Sequence, residues 1–139
     1  MTAPSQKKMM LFGGRAFPEL AAEVADCMGV ELAPSRLYDF ANGEIMVRFL
    51  ESVRGCDAFV LQSHTAPINR WIMEQLIMVD ALKRASAKNI TVIMPFYGYA
   101  RQDKKSAGRE PISARLIADL FATAGADRLM AVDLHTAQI

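Results

Sequence analysis

ITVIMPFYGYARQDKKSAGREPISARLIADLFATAG, residues 90–125, divides into three parts of different character. Residues 90–95 form a short apolar run rich in β-branched side chains, which reads as a buried strand. Residues 111–125 read as a helix led by Pro111 and stopped at Gly125. Between them, residues 96–110, FYGYARQDKKSAGRE, make a long connection at the carboxyl end of the strand. Open parallel sheets bind ligands at that edge, because the loops there surround a crevice that the sheet itself does not fill. The connection carries Arg101, Lys104, Lys105 and Arg109, with Gln102 and Asp103 beside them and Tyr97 and Tyr99 before them. Guanidinium forks bind phosphate oxygens bidentately, lysines add compact charge and an amide reads a base edge, so the set suits a polyanion bearing a flat ring. The competing reading is an exposed basic turn, and its position behind a buried strand weighs against that.

The same alternation extends outward on both sides. Residues 9–12 are a short apolar strand closed by Gly13-Gly14. Pro18 and Glu19 then start a helix in which Leu20, Ala21, Val24, Ala25 and Met28 recur at helical spacing, with Gly29 as the stop. Residues 36–40 and 45–50 are two strand candidates separated by Ala41-Asn42-Gly43-Glu44, and Asn-Gly there predicts a hairpin. In the second of them Ile45, Val47 and Phe49 share one side and Met46 and Arg48 the other, as in a half-exposed flap. Residues 58–62 read as a strand covered on both faces. A long helix follows over residues 67–85, with Ile68, Trp71, Ile72, Gln75, Leu76, Val79 and Leu82 on its stripe. Met73, Ile77 and Met78 widen that stripe beyond what one sheet covers, which predicts a second contact with another helix or another subunit. Residues 129–133 form a last strand. The fold class predicted is α/β: a mostly parallel sheet flanked by helices on both faces, with an inserted β-hairpin flap.

Length and composition agree. The 139 residues fit one domain, 52% apolar and 22% charged, with residues 1–8 expected as a disordered tail. A formal net charge of +1 gives no bulk electrostatic case for nucleic acid, so any anion affinity is local. Cys27 and Cys56 match no metal-ligand spacing and read as reduced thiols of a cytoplasmic protein. No apolar run approaches the roughly eighteen residues of a membrane span, and the short run after the polar opening MTAPSQKK is not a signal peptide.

Other residues carry weaker signals. Asp133-Leu134-His135 ends the last strand at the same edge as Arg101; the pair either holds a hard divalent ion, directly or through water, or is a hydrogen-bonded structural pair. His64 follows the strand at 58–62, and Thr65-Ala66-Pro67 behind it looks like a lead-in to a helix, which favours a structural histidine. Phe40, Asn42 and Glu44 alternate across the hairpin turn; from spacing alone they are a turn with a buried ring. Glu51-Ser52-Val53-Arg54-Gly55 reads as an ordinary loop that also offers hydroxyl, guanidinium and backbone to a phosphate. Neither a P-loop nor a dinucleotide fingerprint is present, and no serine or cysteine sits in a nucleophile motif.

NGEIMVRFLESVRGCDAFVLQS, MEQLIMVDALKRASAKNITVIMPFYGYARQDKK, REPISARLIADL and AGADRLMAVDLHTAQI together resemble the amino-terminal half of ribose-phosphate pyrophosphokinase, over nearly the whole chain from Met9 to Ile139. The resemblance implies Mg2+-dependent transfer of the diphosphoryl group of ATP to the C1 hydroxyl of ribose 5-phosphate. It implies an ATP-binding domain over residues 9–139, with Arg101, Gln102 and Asp103 in the ATP-contacting segment and His135 as a ligand of the metal. Phe40, Asn42 and Glu44 match the family's adenine-binding flap, contributed by a neighbouring subunit. Ser52, Arg54, Lys105 and Arg109 match its regulatory phosphate and ADP site, although Ser106-Ala107-Gly108 departs from the more charged loop of some members. A homo-oligomer of dimers assembled into hexamers is implied too, which suits the wide helix stripe. The ribose-phosphate loop and the mobile loop with the catalytic lysine and arginine have no counterpart in these residues, so a piece of a longer protein, inactive alone, is expected. The alternatives are a non-catalytic nucleotide-binding regulatory or assembly subunit of the same fold and, poorly supported, a nucleic-acid-binding domain.

Overall fold

The computed structural model describes residues 8–135, in which nine elements alternate as expected. They are β1 (Met9–Gly13), α1 (Pro18–Met28), β2 (Ser35–Asp39), β3 (Ile45–Phe49), β4 (Asp57–Leu61), α2 (Ile68–Arg84), β5 (Asn89–Phe96), α3 (Ser113–Ala124) and β6 (Arg128–Asp133). β1, β4, β5 and β6 form a parallel sheet in that spatial order, and β2 and β3 pair separately as an antiparallel hairpin. The tail expected over residues 1–8 lies outside the described residues except for Lys8, whose carbonyl accepts a hydrogen bond from the Asp57 N–H at 2.9 Å and so belongs to the margin of the sheet. Thr136 to Ile139 likewise lie outside the described residues.

The two faces of the sheet follow from the alternation of each strand. Met10 and Phe12, Ala58 and Val60, and Ile90, Val92 and Met94 point to one face. There they meet Ile72, Met78, Val79 and Leu82 of α2, Ile117 and Phe121 of α3, and Val47 of the hairpin. Leu11, Phe59, Leu61 and Ile93 point to the other and meet Ala21, Val24 and Ala25 of α1. Helices therefore cover both faces. After α1 the chain bridges from Leu32 to Leu11 at the outer edge of β1 and passes round it, which delivers the hairpin to the α2 face. Phe49 stacks at a tilt on Phe12, ring centroids 4.7 Å apart.

Two expectations need correcting. Met78 does not widen the outside of α2: it is fully buried in the core, and beyond the sheet α2 meets both the hairpin, through β3, and α3, the second helix contact that its wide stripe predicts. Tyr97 is not a ring offered to a ligand, because it is buried and its hydroxyl donates to the Ala114 carbonyl at the start of α3. Burial pushes its phenol up to about 12. Cys27 is exposed and Cys56 buried, both free; burial raises the Cys56 thiol above its ordinary value. No helix among the described residues is long and apolar enough to cross a membrane.

Candidate functional site

The loops after β1, β4, β5 and β6 lie at the carboxyl edge of the sheet, and the loop after β5 is tethered at several points. Gly98 donates its N–H to Nδ1 of His64 at 3.0 Å. A Cβ on Gly98 would lie 2.7 Å from Ile68 Cγ2 and 3.0 Å from the His64 Cβ, so no larger residue fits without displacing them. Tyr99 takes a left-handed conformation at φ 68° and its hydroxyl donates to Asn69 Oδ1 on α2. The Gln102 N–H returns to the Tyr99 carbonyl at 2.9 Å, and the Ala114 N–H donates to the Gln102 carbonyl at 3.0 Å. The backbone under Arg101 and Gln102 is thus fixed from α2, from His64 and from α3, while both side chains remain exposed. They border a cleft of about 550 Å³ whose other walls include Pro67, Phe96 and Tyr99. A guanidinium, an amide and two aromatic rings around one opening are complementary to a phosphate-bearing heterocycle.

His64 itself is the structural histidine expected from its position. It is 0% exposed, lies parallel to Phe121 at 6.1 Å, and its Nε2 is 2.7 Å from Gln75 Oε1. Because the Gly98 N–H occupies Nδ1, the proton sits on Nε2 and is donated to Gln75. Burial depresses its pKa, against a smaller opposing pull from Gln75.

Further along the loop, Glu110 Oε2 accepts from the Ser106 N–H, the Ser106 hydroxyl and the Ala107 N–H. Those bonds hold its carboxyl below the usual range. Lys105 and Arg109 are exposed on this turn, Arg109 at φ 64°. Ser52 and Arg54 lie elsewhere: they precede β4, at the amino edge of the sheet, where the Gly55 N–H bonds the Ser86 carbonyl. One chain does not bring these two halves of the expected regulatory set together.

His135 is half-exposed, and its Nδ1 is 3.5 Å from Oδ2 of Asp103, whose side chain is 1% exposed. Asp103 thus lies beneath His135 instead of opening to the cleft. Among the described residues no group of three His, Cys, Asp or Glu side chains forms a dedicated metal cage. A half-exposed imidazole backed by a buried carboxylate suits an ion that arrives with phosphate oxygens and keeps part of its water, as Mg2+ does. At the hairpin tip the Phe40 N–H and Glu44 carbonyl bond at 2.8 Å, Gly43 takes φ 92°, and Asn42 Nδ2 donates to Glu44 Oε1 at 3.0 Å. Phe40 is 43% exposed, not buried, and packs edge-on to Tyr38. The cleft beside Arg101 is not lined by any residue of the tip.

One cluster at this edge was not anticipated. Arg15, just after β1, donates from its backbone N–H and its Nε to the two carboxylate oxygens of Glu74, each at 2.7 Å, and from its other guanidinium arm to Asp39 Oδ1 at 2.7 Å. Arg70 bonds Asp39 Oδ2, and Gln62 Nε2 donates to Glu74 Oε1 at 3.0 Å. Arg15, then Arg70, holds the Asp39 carboxyl below its ordinary range, and the bonds to Asp39 and Glu74 raise Arg15 despite the opposing effect of burial. The available signal was Glu74 itself, an acid three residues after Trp71 and four before Met78 on the apolar stripe of α2.

Comparison with known proteins decides the family. Residues 9–125 match the family model described as the N-terminal domain of ribose phosphate pyrophosphokinase. The chain belongs to that family. It is 73% identical over 134 residues to the ribose-phosphate pyrophosphokinase of Streptomyces coelicolor, covering 96% of this chain and 41% of that one. It is 70% identical over 135 residues to that of Mycobacterium tuberculosis, covering 97% and 41%. A crystal structure of phosphoribosylpyrophosphate synthetase from Mycobacterium smegmatis superposes with a TM-score of 0.93 at 70% identity, over 95% of this chain and 44% of that one. The chain thus spans about two-fifths of the length of the ribose-phosphate pyrophosphokinases it matches.

Proposed function

We propose that these residues are the ATP-binding side of a ribose-phosphate diphosphokinase, a nucleotide-biosynthetic transferase that moves the diphosphoryl group of Mg-ATP onto the C1 hydroxyl of ribose 5-phosphate and releases AMP. The observation that carries this reading is the tethered turn presenting Arg101 and Gln102 over an aromatic-walled cleft, in a chain of this family. In such a transfer the hydroxyl oxygen attacks the β-phosphorus while the bond to the AMP oxygen breaks, and charge spreads over the transferred oxygens. Positioning and neutralisation are the protein's main tasks, and no covalent nucleophile is required. Arg101 would bind phosphate oxygens, Gln102 would orient the nucleotide by its amide, and Tyr99 and Phe96 would exclude water from one flank. His135, with Asp103 buried behind it, would hold Mg2+, which supplies charge neutralisation on the phosphates when bound. The catalytic lysine and arginine and the ribose-phosphate loop would come from sequence outside these residues.

Phe40, Asn42 and Glu44 would receive the adenine of a nucleotide bound to a neighbouring copy, since the tip does not line the cleft beside Arg101 of its own chain. The same geometry supports an oligomer in which Ser52 and Arg54 of one copy approach Lys105 and Arg109 of another around a regulatory anion. A soluble cytoplasmic enzyme accords with the membrane and cysteine readings. Calorimetric titration with Mg-ATP tests the site: Arg101→Ala and His135→Ala are each expected to weaken binding tenfold or more, and unchanged affinity in both overturns the assignment. These residues expressed alone are expected to form no phosphoribosyl pyrophosphate. Measurable product would overturn the division of labour.

A further inference from the structure

Asp39 is the last residue of β2 and stands directly before Phe40, at the root of the hairpin tip. Its two carboxylate oxygens are taken by arginines from two different elements, Arg15 after β1 and Arg70 in the first turn of α2. Arg15 is itself immobilised. Glu74, 0% exposed, receives both its backbone N–H and its Nε, and is tied in turn to Gln62 at the end of β4, whose Oε1 accepts the Ala16 N–H at 3.0 Å. Both guanidinium groups lie against the Trp71 ring, Arg70 at 4.8 Å and Arg15 at 5.9 Å from its centroid. The ends of β1 and β4 and the first turns of α2 therefore form one block that offers two guanidinium groups to a single carboxylate. A carboxylate shared by two such groups is fixed in direction as well as distance, because each N–H must meet a lone pair. The body of the hairpin does not need this bond to stay docked, since Val47 is buried and Leu37, Ile45 and Phe49 pack on the core. What the bond adds is the direction of the tip.

We propose that Arg15 and Arg70 are positioning residues that fix the hairpin tip, residues 40–44, through Asp39, and so set the affinity for the nucleotide base that the tip receives. This rests on the reading of the tip given above. Loss of the clamp frees the tip while leaving Arg101, Gln102 and His135 untouched, so the cost falls on ATP binding, not on the transfer step. Full-length enzyme carrying Asp39→Asn, which keeps size and removes charge, is expected to show a KM for Mg-ATP raised fivefold or more. Its kcat should stay within twofold and its KM for ribose 5-phosphate should not change. Arg70→Gln should move the same constant in the same direction, and the double variant should be no worse than Asp39→Asn alone. An unchanged KM for ATP in both single variants overturns the proposal, as does an equal loss for both substrates. Arg15→Met strands a buried Glu74 and tests folding first, so Asp39→Asn carries the assay. If the unmutated enzyme transfers no diphosphoryl group, the functional reading fails separately. Amide exchange then tests the clamp: faster exchange confined to residues 40–44 in Asp39→Asn upholds it, and unchanged exchange there overturns it.

Discussion

Replacing His64 tests the claim that the edge loop is held from beneath. His64→Leu removes the imidazole from between Gly98 and Gln75, leaving the Gly98 N–H and Gln75 Oε1 without their partners. Gln75 cannot turn away, because its Nε2 already donates to the Val60 carbonyl at 3.0 Å and the Ile93 carbonyl at 3.2 Å. Each buried group left unsatisfied costs about 1–3 kcal/mol, so the pair comes to roughly 2–6 kcal/mol. The lost stack on Phe121 adds about 0.5–1.5 kcal/mol. Against a domain stability of about 5–15 kcal/mol that can unfold the protein, so a graded partner is needed. His64→Asn places an oxygen near the position of Nδ1 and retains the Gly98 bond, orphaning only Gln75; it should cost about half as much. Urea midpoints for the three proteins should fall in the order His, Asn, Leu, with amide exchange at Gly98 fast only in the Leu protein. A Leu protein with the parent's midpoint would falsify the reasoning.

The buried histidine also sets a pH dependence. Its folded pKa lies below the ordinary 6.5, so as pH falls the unfolded chain takes up the proton first. The His64 contribution is complete above about pH 6.5 and is lost as pH falls toward the folded pKa; the difference in urea midpoint between parent and His64→Asn should therefore shrink from pH 7.5 to 5.5, and a constant difference refutes it. Gly98→Ala drives a methyl onto Ile68 and His64 and should destabilise by about 1–3 kcal/mol, against little or no loss for Gly108→Ala, whose Cβ meets nothing within 4 Å. Glu110 should titrate below the ordinary carboxylate range by NMR, and Ser106→Ala should move that midpoint upward by removing the hydroxyl bond. A midpoint that stays put means the backbone N–H groups alone suffice.

The strands and helices were legible because their signals are local. Pro18 at the start of α1, Gly29 at φ 68° after it and Asn42-Gly43 between β2 and β3 each do locally what their chemistry requires. The turn bearing Arg101 and Gln102 was legible for a related reason, since a basic loop behind an apolar strand falls at the carboxyl edge whatever surrounds it. Tyr97 and Met78 were misread because their fate depends on α3, whose packing against α2 has no local signature. The Arg15, Asp39 and Glu74 cluster is the extreme case. Its members are separated by 24 and 59 positions along the chain, and only the folded sheet edge brings a residue after β1, the end of a hairpin and a helix turn to one place.

Strand β6 has a practical consequence for anyone handling this protein. Among the described residues it ends the sheet, and Met130 and Val132, which by register lie on the same face as Ile93, are 49% and 79% exposed there. The outer edge of β1 is bridged by Leu32, so the two margins of the sheet are not equivalent. An open, apolar strand is a template on which another strand can grow, in register and without specificity. Self-association of these residues in isolation is therefore no measure of the physiological oligomer. Val132→Lys, which charges the bare margin and leaves the hairpin and the basic turn alone, should abolish adventitious pairing and spare an assembly built through those elements.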